Sequence, residues 1–481
     1  MGSDGSGSWR DLGAHLGTAV VLAGGVLIGA VNIYVAASLL PTAVTEIGGE
    51  RLYAWNMTAF LVAQLVATLF VRRVLAGRGT VGAYLIGFGV FAAGSVVCAA
   101  SPTMAVLLVG RALQGLGAGL LTGLGFALVQ AALPRSLWAR GSALISAMYG
   151  VGNFVGPALG GLFAQFGSWR LAFVVLAAAA VGIAVLVPRT LPRGGSWSTA
   201  HSPRPGSVGL IVAAAGAVSV GGIVTQPLAK GALVVLGLLL VVAFLVAERR
   251  TTTPVLPRST YRPGASLPWV YVTIAVLAAG TAVEAFLPLF AQRLGGLPPL
   301  LAGFFGAALS LGWAGSQVLS SSAHRSGVVR LLRPGGPAVL AVGLAVLAAL
   351  LPADGSTAAV LAWLPLLLLA GAGIGLAMPH LSVAAMTGTA DPDEANQAAA
   401  GIATVLTMAT AFGAAVAGLL VNLGGADTVA AGRFLLLAFA VVAALGVPTA
   451  MRAQHRTRSA ATDDDLGDPD RASSHVGSPQ P

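Results

Sequence analysis

The chain has 481 residues, of which 56% are hydrophobic and only 9% charged. A soluble protein of ordinary composition carries about a quarter charged residues, so a soluble fold is excluded. Apolar runs of about twenty residues recur, the length a bilayer demands of a helix, and the chain reads as an all-α polytopic membrane protein. The net charge of +10 resides on loops between the runs, where cytoplasmic segments collect Lys and Arg, and does not point to nucleic acid.

In chain order, residues 1–16 are polar and glycine-rich and read as a cytoplasmic tail. The first apolar run is too long for a signal-peptide core. Spans near 17–41, 54–72, 80–100, 103–130, 140–165 and 170–188 predict a six-helix bundle over 17–188. A loop rich in Pro, Gly, Arg and Ser covers 189–206. Two more apolar stretches, near 207–225 and 231–247, predict an extra helix pair over 207–247 that either crosses the membrane or lies on it. The charged linker 248–267 follows. Spans near 268–290, 299–321, 335–352, 358–386, 396–422 and 430–451 predict a second six-helix bundle over 268–451, and the polar tail 452–481 reads as disordered.

With the N-terminus inside, the predicted cytoplasmic segments hold 20 of the 26 basic residues and the outer loops hold Arg51, Arg170, Lys230, Arg293 and Arg433. Only Arg111 falls within a span. This asymmetry places both termini in the cytoplasm. The excess of arginine over lysine, with the Ala and Gly load, is that of a GC-rich bacterium, so the expected location is a bacterial plasma (inner) membrane. The single cysteine, Cys98, excludes an internal disulfide and a cysteine-based zinc site.

Two polar interruptions lie inside apolar helices: Arg111-Ala-Leu-Gln114-Gly115-Leu-Gly117-Ala118 and Gly152-x-x-x-Gly156-Pro157-x-x-Gly160-Gly161. Arg111, Gln114 and Ala118, spaced at three and four, share one helix face. Gly152, Gly156 and Gly160 recur every four residues, a smooth stripe that lets another helix approach, and Pro157 favours a bend. A guanidinium in hydrocarbon costs several kcal/mol, about 3 or more, so Arg111 is expected to face a hydrated crevice between two bundles. Helix packing alone is the competing reading for the glycines, and a structural arginine bonded to backbone carbonyls for Arg111.

These two motifs, followed by Trp169-Arg170 and by the central pair ending in Glu248-Arg249-Arg250 and Pro254, resemble the major facilitator superfamily, specifically its fourteen-span drug:proton antiporter branch. The resemblance covers residues 18 to about 448. It implies two six-helix bundles plus a central extra pair, fourteen transmembrane helices in all. It also implies a midplane site, rocking between two states, a functional monomer, no cofactor, and a proton as coupling ion. In this reading Gly152, Gly156, Pro157, Gly160 and Gly161 carry gating. Two positions depart from the family pattern. Asn32 stands where the first span tends to have an Asp, and the loop around Arg72, Arg73 and Arg78 keeps arginines but has no acid. No Asp or Glu occurs between Glu50 and Glu248.

The carboxylate well inside a span is Glu284, and burial disfavours the charged form of such a group, as a proton exchanger requires. An alternating Arg111–Glu284 contact could act as a switch; the competing reading pairs Glu284 with Arg293. Arg111, Gln114, Glu284, Asn32, Tyr34 and His380 are therefore the candidates for proton coupling and the substrate cavity. His380 is alternatively a structural hydrogen-bond donor, and Asp391, Asp393 and Glu394 read as a solvated loop.

A cavity built of Ala, Val, Leu and Phe suits hydrophobic or amphiphilic cargo, so the expected function is proton-driven export of such compounds. A lipid or anionic amphiphile meeting Arg111 is the alternative cargo, and a membrane sensor the non-transport alternative. No nucleophile elbow or metal-spaced His/Asp cluster suggests an enzyme. The only lysine, Lys230, follows Ala229 and cannot form a phosphate loop. No run of polar residues marks a channel.

Overall fold

The computed structural model describes Arg10, Gly13 and residues 15–134, 137–191, 205–251, 256–262, 264–323, 325–351, 356–387 and 392–466. The N-terminal tail over 1–9, the loop over 192–204, Arg135, Asp391 and the last tail residues, 467–481, lie outside the described residues, as does the Asp393 side chain.

The described chain is built of α-helices and short 3-10 turns. The first helix, α1, is Leu16–Ile47. A helical stretch Trp55–Ala99 divides at Gly79, whose φ of 66° only glycine accepts readily, into α2 (55–78) and α3 (80–99). Next come α4 (Met104–Ala132), α5 (Trp138–Phe166), α6 (Trp169–Thr190), α7 (Pro205–Ile223) and α8 (Pro227–Arg250). Then follow α9 (Leu267–Gly280), α10 (Leu287–Gly295), α11 (Pro299–Ser320), α12 (Ser326–Ala349), α13 (Thr357–Leu361), α14 (Trp363–Met386), α15 (Pro392–Leu423) and α16 (Thr428–Leu466). Counting α9–α10 and α13–α14 as one broken pass each gives fourteen helical passes among the described residues.

Three boundaries differ from the sequence reading for identifiable reasons. Helix α1 runs six residues past Pro41 because a proline removes one donor but does not forbid continuation when the turn below is packed. Helix α12 begins at Ser326 and carries Arg330 and Arg333 in its first turns, where long stems let charged heads reach the interface. Helix α16 continues to Leu466, past the expected end at 451, over a polar run in which the good helix formers Ala and Arg supply six of the fifteen residues 452–466.

Helices α1 to α6 pack together, and α9 to α16 form a second group; α7 and α8 pair with each other, with α7 lying against α15 and α2. Trp55 on α2 donates its indole N–H to the Ser219 carbonyl of α7, 3.1 Å away. The central pair is thus part of the bundle and not a surface insert.

Small residues set how closely the helices approach. A side chain on Gly115 would strike the Phe60 carbonyl of α2, and one on Gly119 the Gln64 carbonyl. Here α2 and α4 touch backbone to backbone. With little hydrophobic drive between helices in lipid, such close packing is what holds them.

The two halves meet at one end. Gly161 on α5 lies against Leu300 and Pro299 of α11, and Gln165 Oε1 accepts the Leu300 N–H at 3.3 Å. Gly418 of α15 abuts Ala54, and Asn422 donates to the Arg51 carbonyl at 3.2 Å. Arg293 Nη2 meets Glu50 Oε1 at 2.7 Å. At the opposite end the consecutive residues Tyr149, Gly150 and Val151 of α5 are exposed, as are Gln317, Val318 and Leu319 of α11. Three consecutive exposed residues cover more than half a helix circumference, so the halves part there. The protein is sealed at the Glu50–Arg293 end and open at the other.

Replacing Gly115 by Ala should destabilise the α2–α4 contact by about 1–3 kcal/mol, the usual cost of overpacking, seen as a lowered thermal midpoint in detergent. The Glu50–Arg293 pair is 68% and 41% exposed, and such pairs contribute about 0.2–1 kcal/mol. Glu50→Gln should therefore shift the balance of sealed and open forms by no more than about fivefold, measured by labelling of a cysteine placed at Ala54, which Gly418 covers in the sealed form.

Candidate functional site

Pro288 shapes the first polar cluster. A proline ring clashes with the carbonyl four residues earlier, which here belongs to Glu284. Helix α9 accordingly stops at Gly280, residues Thr281–Ala285 tighten into a 3-10 turn, and α10 starts afresh at Leu287. Glu284 sits in this break, not in a regular helix as its place in the span suggests. Its side chain is 9% exposed. Ser310 of α11 donates to Oε1 at 2.6 Å. The Tyr34 hydroxyl of α1 donates to Ser310 Oγ at 2.9 Å and lies 3.5 Å from Glu284 Oε2. A carboxyl group of one half is thereby joined to a phenol of the other.

The antiporter-motif glycines set Tyr34 in place. Side chains at Gly152, Gly156 and Gly160 would collide with Ala30, Tyr34 and Val35 of α1, whereas Gly161 faces α11. Three glycines thus make the α1–α5 track and the fourth makes the seam between halves. Pro157 lies inside α5, its carbonyl 3.3 Å from where a side chain on Gly303 would stand.

Arg111 does not reach Glu284. It is 0% exposed and enclosed by α2, α3 and α4. Its Nε donates to the Asn56 carbonyl at 3.3 Å, Nη1 donates to Gln114 Oε1 at 2.8 Å, and its carbon Cζ lies 4.4 Å above the Phe60 ring. Gln114 Nε2 donates in turn to Ser95 Oγ at 2.8 Å. The expectation of a hydrated crevice at Arg111 is corrected: a cation–π face and neutral acceptors take the place of water. The alternating Arg111–Glu284 contact is likewise not formed in this state, nor is Glu284 paired with Arg293, which is held by Glu50.

Asn32 is fully buried, with neither amide atom hydrogen-bonded. Gly25 faces Leu121 and Gly29 faces Ala118, so the antiparallel register brings Asn32 level with Gln114, about one turn from Arg111. His380 of α14 lies 3.0 Å from Ser320 Oγ, which also donates to the Leu376 carbonyl at 2.7 Å. It belongs to an α11–α14 contact and stands apart from Glu284. Glu394 accepts the Ser259 N–H at 2.8 Å and ties the linker to α15.

Sequence reasoning missed Ser310, Asn56 and Ser95. Ser310 stands in a run of alanines and leucines, and lone serines commonly return their hydroxyl to their own helix, so nothing local marks it. Glu46 at the end of α1 meets Arg170 Nη1 and accepts the Trp169 indole N–H at 2.6 Å. That contact explains the Trp-Arg pair after the fifth span: it staples α6 to α1.

Residues 22–406 match the Major Facilitator Superfamily. A probable multidrug-efflux transporter of Mycobacterium tuberculosis is 44% identical over 461 residues, covering 94% of this chain and 98% of that protein. Multidrug resistance protein 3 of Bacillus subtilis is 23% identical over 380 residues, covering 75% and 71%. Among solved structures, a POT family transporter in complex with 5-aminolevulinic acid superimposes with a TM-score of 0.67 at 15% identity, covering 91% of this chain and 96% of that one. A bacterial homologue of the human lysosomal transporter Spinster, inward-facing and unoccupied, gives 0.63 at 13% identity, covering 91% and 96%. The fourteen-pass bundle, its two halves meeting at one end, and the near-complete match to an efflux relative place this chain in the Major Facilitator Superfamily, as a membrane transporter and not an enzyme.

Proposed function

We propose that the protein is a proton-driven exporter of hydrophobic and amphiphilic compounds, working as a monomer in a bacterial inner membrane with both termini cytoplasmic. Two six-helix bundles, 17–188 and 268–451, rock about a midplane site by alternating access. The names of the Mycobacterium tuberculosis and Bacillus subtilis relatives support efflux as the direction and several drugs as the cargo. The crowding of arginines at the open end supports that end as cytoplasmic, so the sealed face is the outer one.

One observation carries the coupling: the Glu284 carboxyl is held by Ser310 and lies beside the Tyr34 hydroxyl of the other half. An ionised carboxylate accepts hydrogen bonds at both oxygens, whereas a protonated one surrenders part of that capacity. The link between α1 and α11 is then firmest when Glu284 is charged, the form an inward-open antiporter holds after releasing its proton. Protonation from the outer side weakens the link, and substrate release can accompany it. The Gly152–Gly156–Gly160 track lets α1 move against α5 without side chains to unlock. Phe154 of α5 and Phe304 of α11, whose rings lie 5.7 Å apart, bring aromatic surface from the two halves together.

Glu284→Gln keeps an acceptor for Ser310 but has no proton to exchange. In vesicles under an imposed pH gradient it should lose gradient-driven dye export by about a hundredfold or more, the lower end of what loss of a general acid–base group costs, while dye counterflow without a gradient persists. Gradient-driven export at the wild-type rate would remove the proposal. Tyr34→Phe should lower the gradient-driven rate to a smaller degree.

A further inference from the structure

Arg111 carries a positive charge, and among the described residues the two carboxylates of its half, Glu46 and Glu50, are taken by Arg170 and Arg293. No Asp or Glu occurs from residue 51 to 247. Glu46 is bound by Trp169 and Arg170, Glu50 by Arg293, and Glu284 by Ser310. The groups that touch the guanidinium are a backbone carbonyl, a neutral amide oxygen and a phenyl face. Its Nη2 has no hydrogen-bond partner among the described residues.

Two more buried polar side chains share this condition. Asn56, whose own carbonyl receives Arg111 Nε, has both side-chain amide atoms unpaired at 1% exposure. Asn32 has both of its own unpaired at 0%. A buried polar group left without a partner costs about 1–3 kcal/mol, more when charged. Arg111 reaches Asn56 through its Nε, and Asn32 on α1 stands at the height of Gln114, about one turn along α4 from Arg111; three unpartnered groups at one level of the bundle are a costly arrangement. What they offer is N–H donors around a fixed cation, the complement of an anion with two or more acceptor atoms. The drug:proton antiporter pattern would put an Asp at position 32, a built-in counter-ion; Asn32 replaces that charge with a donor.

We propose that Asn32, Asn56 and Arg111 form a binding site for an anionic headgroup, a carboxylate or sulfonate, borne by the apolar body of the cargo. The proposal rests on the transport reading above and names the class of its substrate: acidic amphiphiles. These groups are closed off in the present state, so the headgroup enters only when α1 separates from α4, against which Gly29 and Ala118 now hold it. A free small anion has the same chemistry and could occupy the same donors.

The test uses the whole protein in lipid nanodiscs and two probes of equal chain length, decanesulfonate and decyltrimethylammonium, with binding measured by calorimetry. Wild type should prefer the sulfonate by about tenfold or more, the effect of one charge-assisted hydrogen bond. Arg111→Gln should abolish that preference, and Asn32→Asp should abolish it too by supplying an internal counter-ion. Arg111→Lys should keep part of it. Retained binding of the cationic probe reports that each variant is folded. Repeating the titration in chloride and in gluconate separates the sources. Competition by chloride means that the donors also take a free anion, whereas equal affinity in both salts assigns them to the headgroup. The titration is run without a pH gradient, so a failure of proton coupling is read separately. Equal affinity of wild type for the two probes, or a preference unchanged in both Arg111→Gln and Asn32→Asp, would overturn the proposal.

Discussion

Taking a charge out of water is the constraint around which the interior of this protein is arranged. A buried ion needs partners that restore several kcal/mol, roughly 3 or more, of lost hydration. Arg111 and Glu284 meet that demand in different ways. Glu284 lies at a break in its helix, where a serine on α11 donates to it and a tyrosine hydroxyl from the opposite half lies close by. Arg111 lies deep within one half, over a phenyl ring and among neutral acceptors. The first arrangement changes when the halves move; the second moves with its own half.

Between these sites the helices are held by contact. Glycines on α4 press against the carbonyls of α2, and those on α5 against α1. Backbone-to-backbone contact of this kind is intolerant of volume, which keeps α2 and α4 rigid as a pair. The α5 glycines, likewise four residues apart, meet the backbone of α1 at Ala30, Val31 and Val35, so both crossings are made by the same close approach. The seal at one end adds only exposed or modest contacts, Glu50 with Arg293 and Asn422 with the Arg51 carbonyl, so it can be released without unfolding either half.

Much of the architecture was legible from the residues. The length and spacing of apolar runs specify the passes, because hydrocarbon permits no unpaired backbone and leaves helices as the solution. The motif glycines and Arg111 announce themselves by contrast with their surroundings. Side chains whose importance depends on another helix do not. Ser310 is one serine in an apolar run until the structure sets it 2.6 Å from Glu284. Trp169-Arg170 is a familiar dipeptide until Glu46 is found against both residues.

The sequence by itself determined that this is a many-pass helical membrane protein, that its N-terminal half is almost without acid, and which span holds the buried carboxyl. Composition, period and the position of Pro288 suffice for that, since each acts within a single helix. Only the tertiary structure decided that Arg111 and Glu284 stand apart, that Tyr34 bridges the halves, and that Asn32 and Asn56 share the want of a partner. Those facts depend on register between helices distant in the chain, and local spacing along one helix carries no information about the rotation or height of its neighbour.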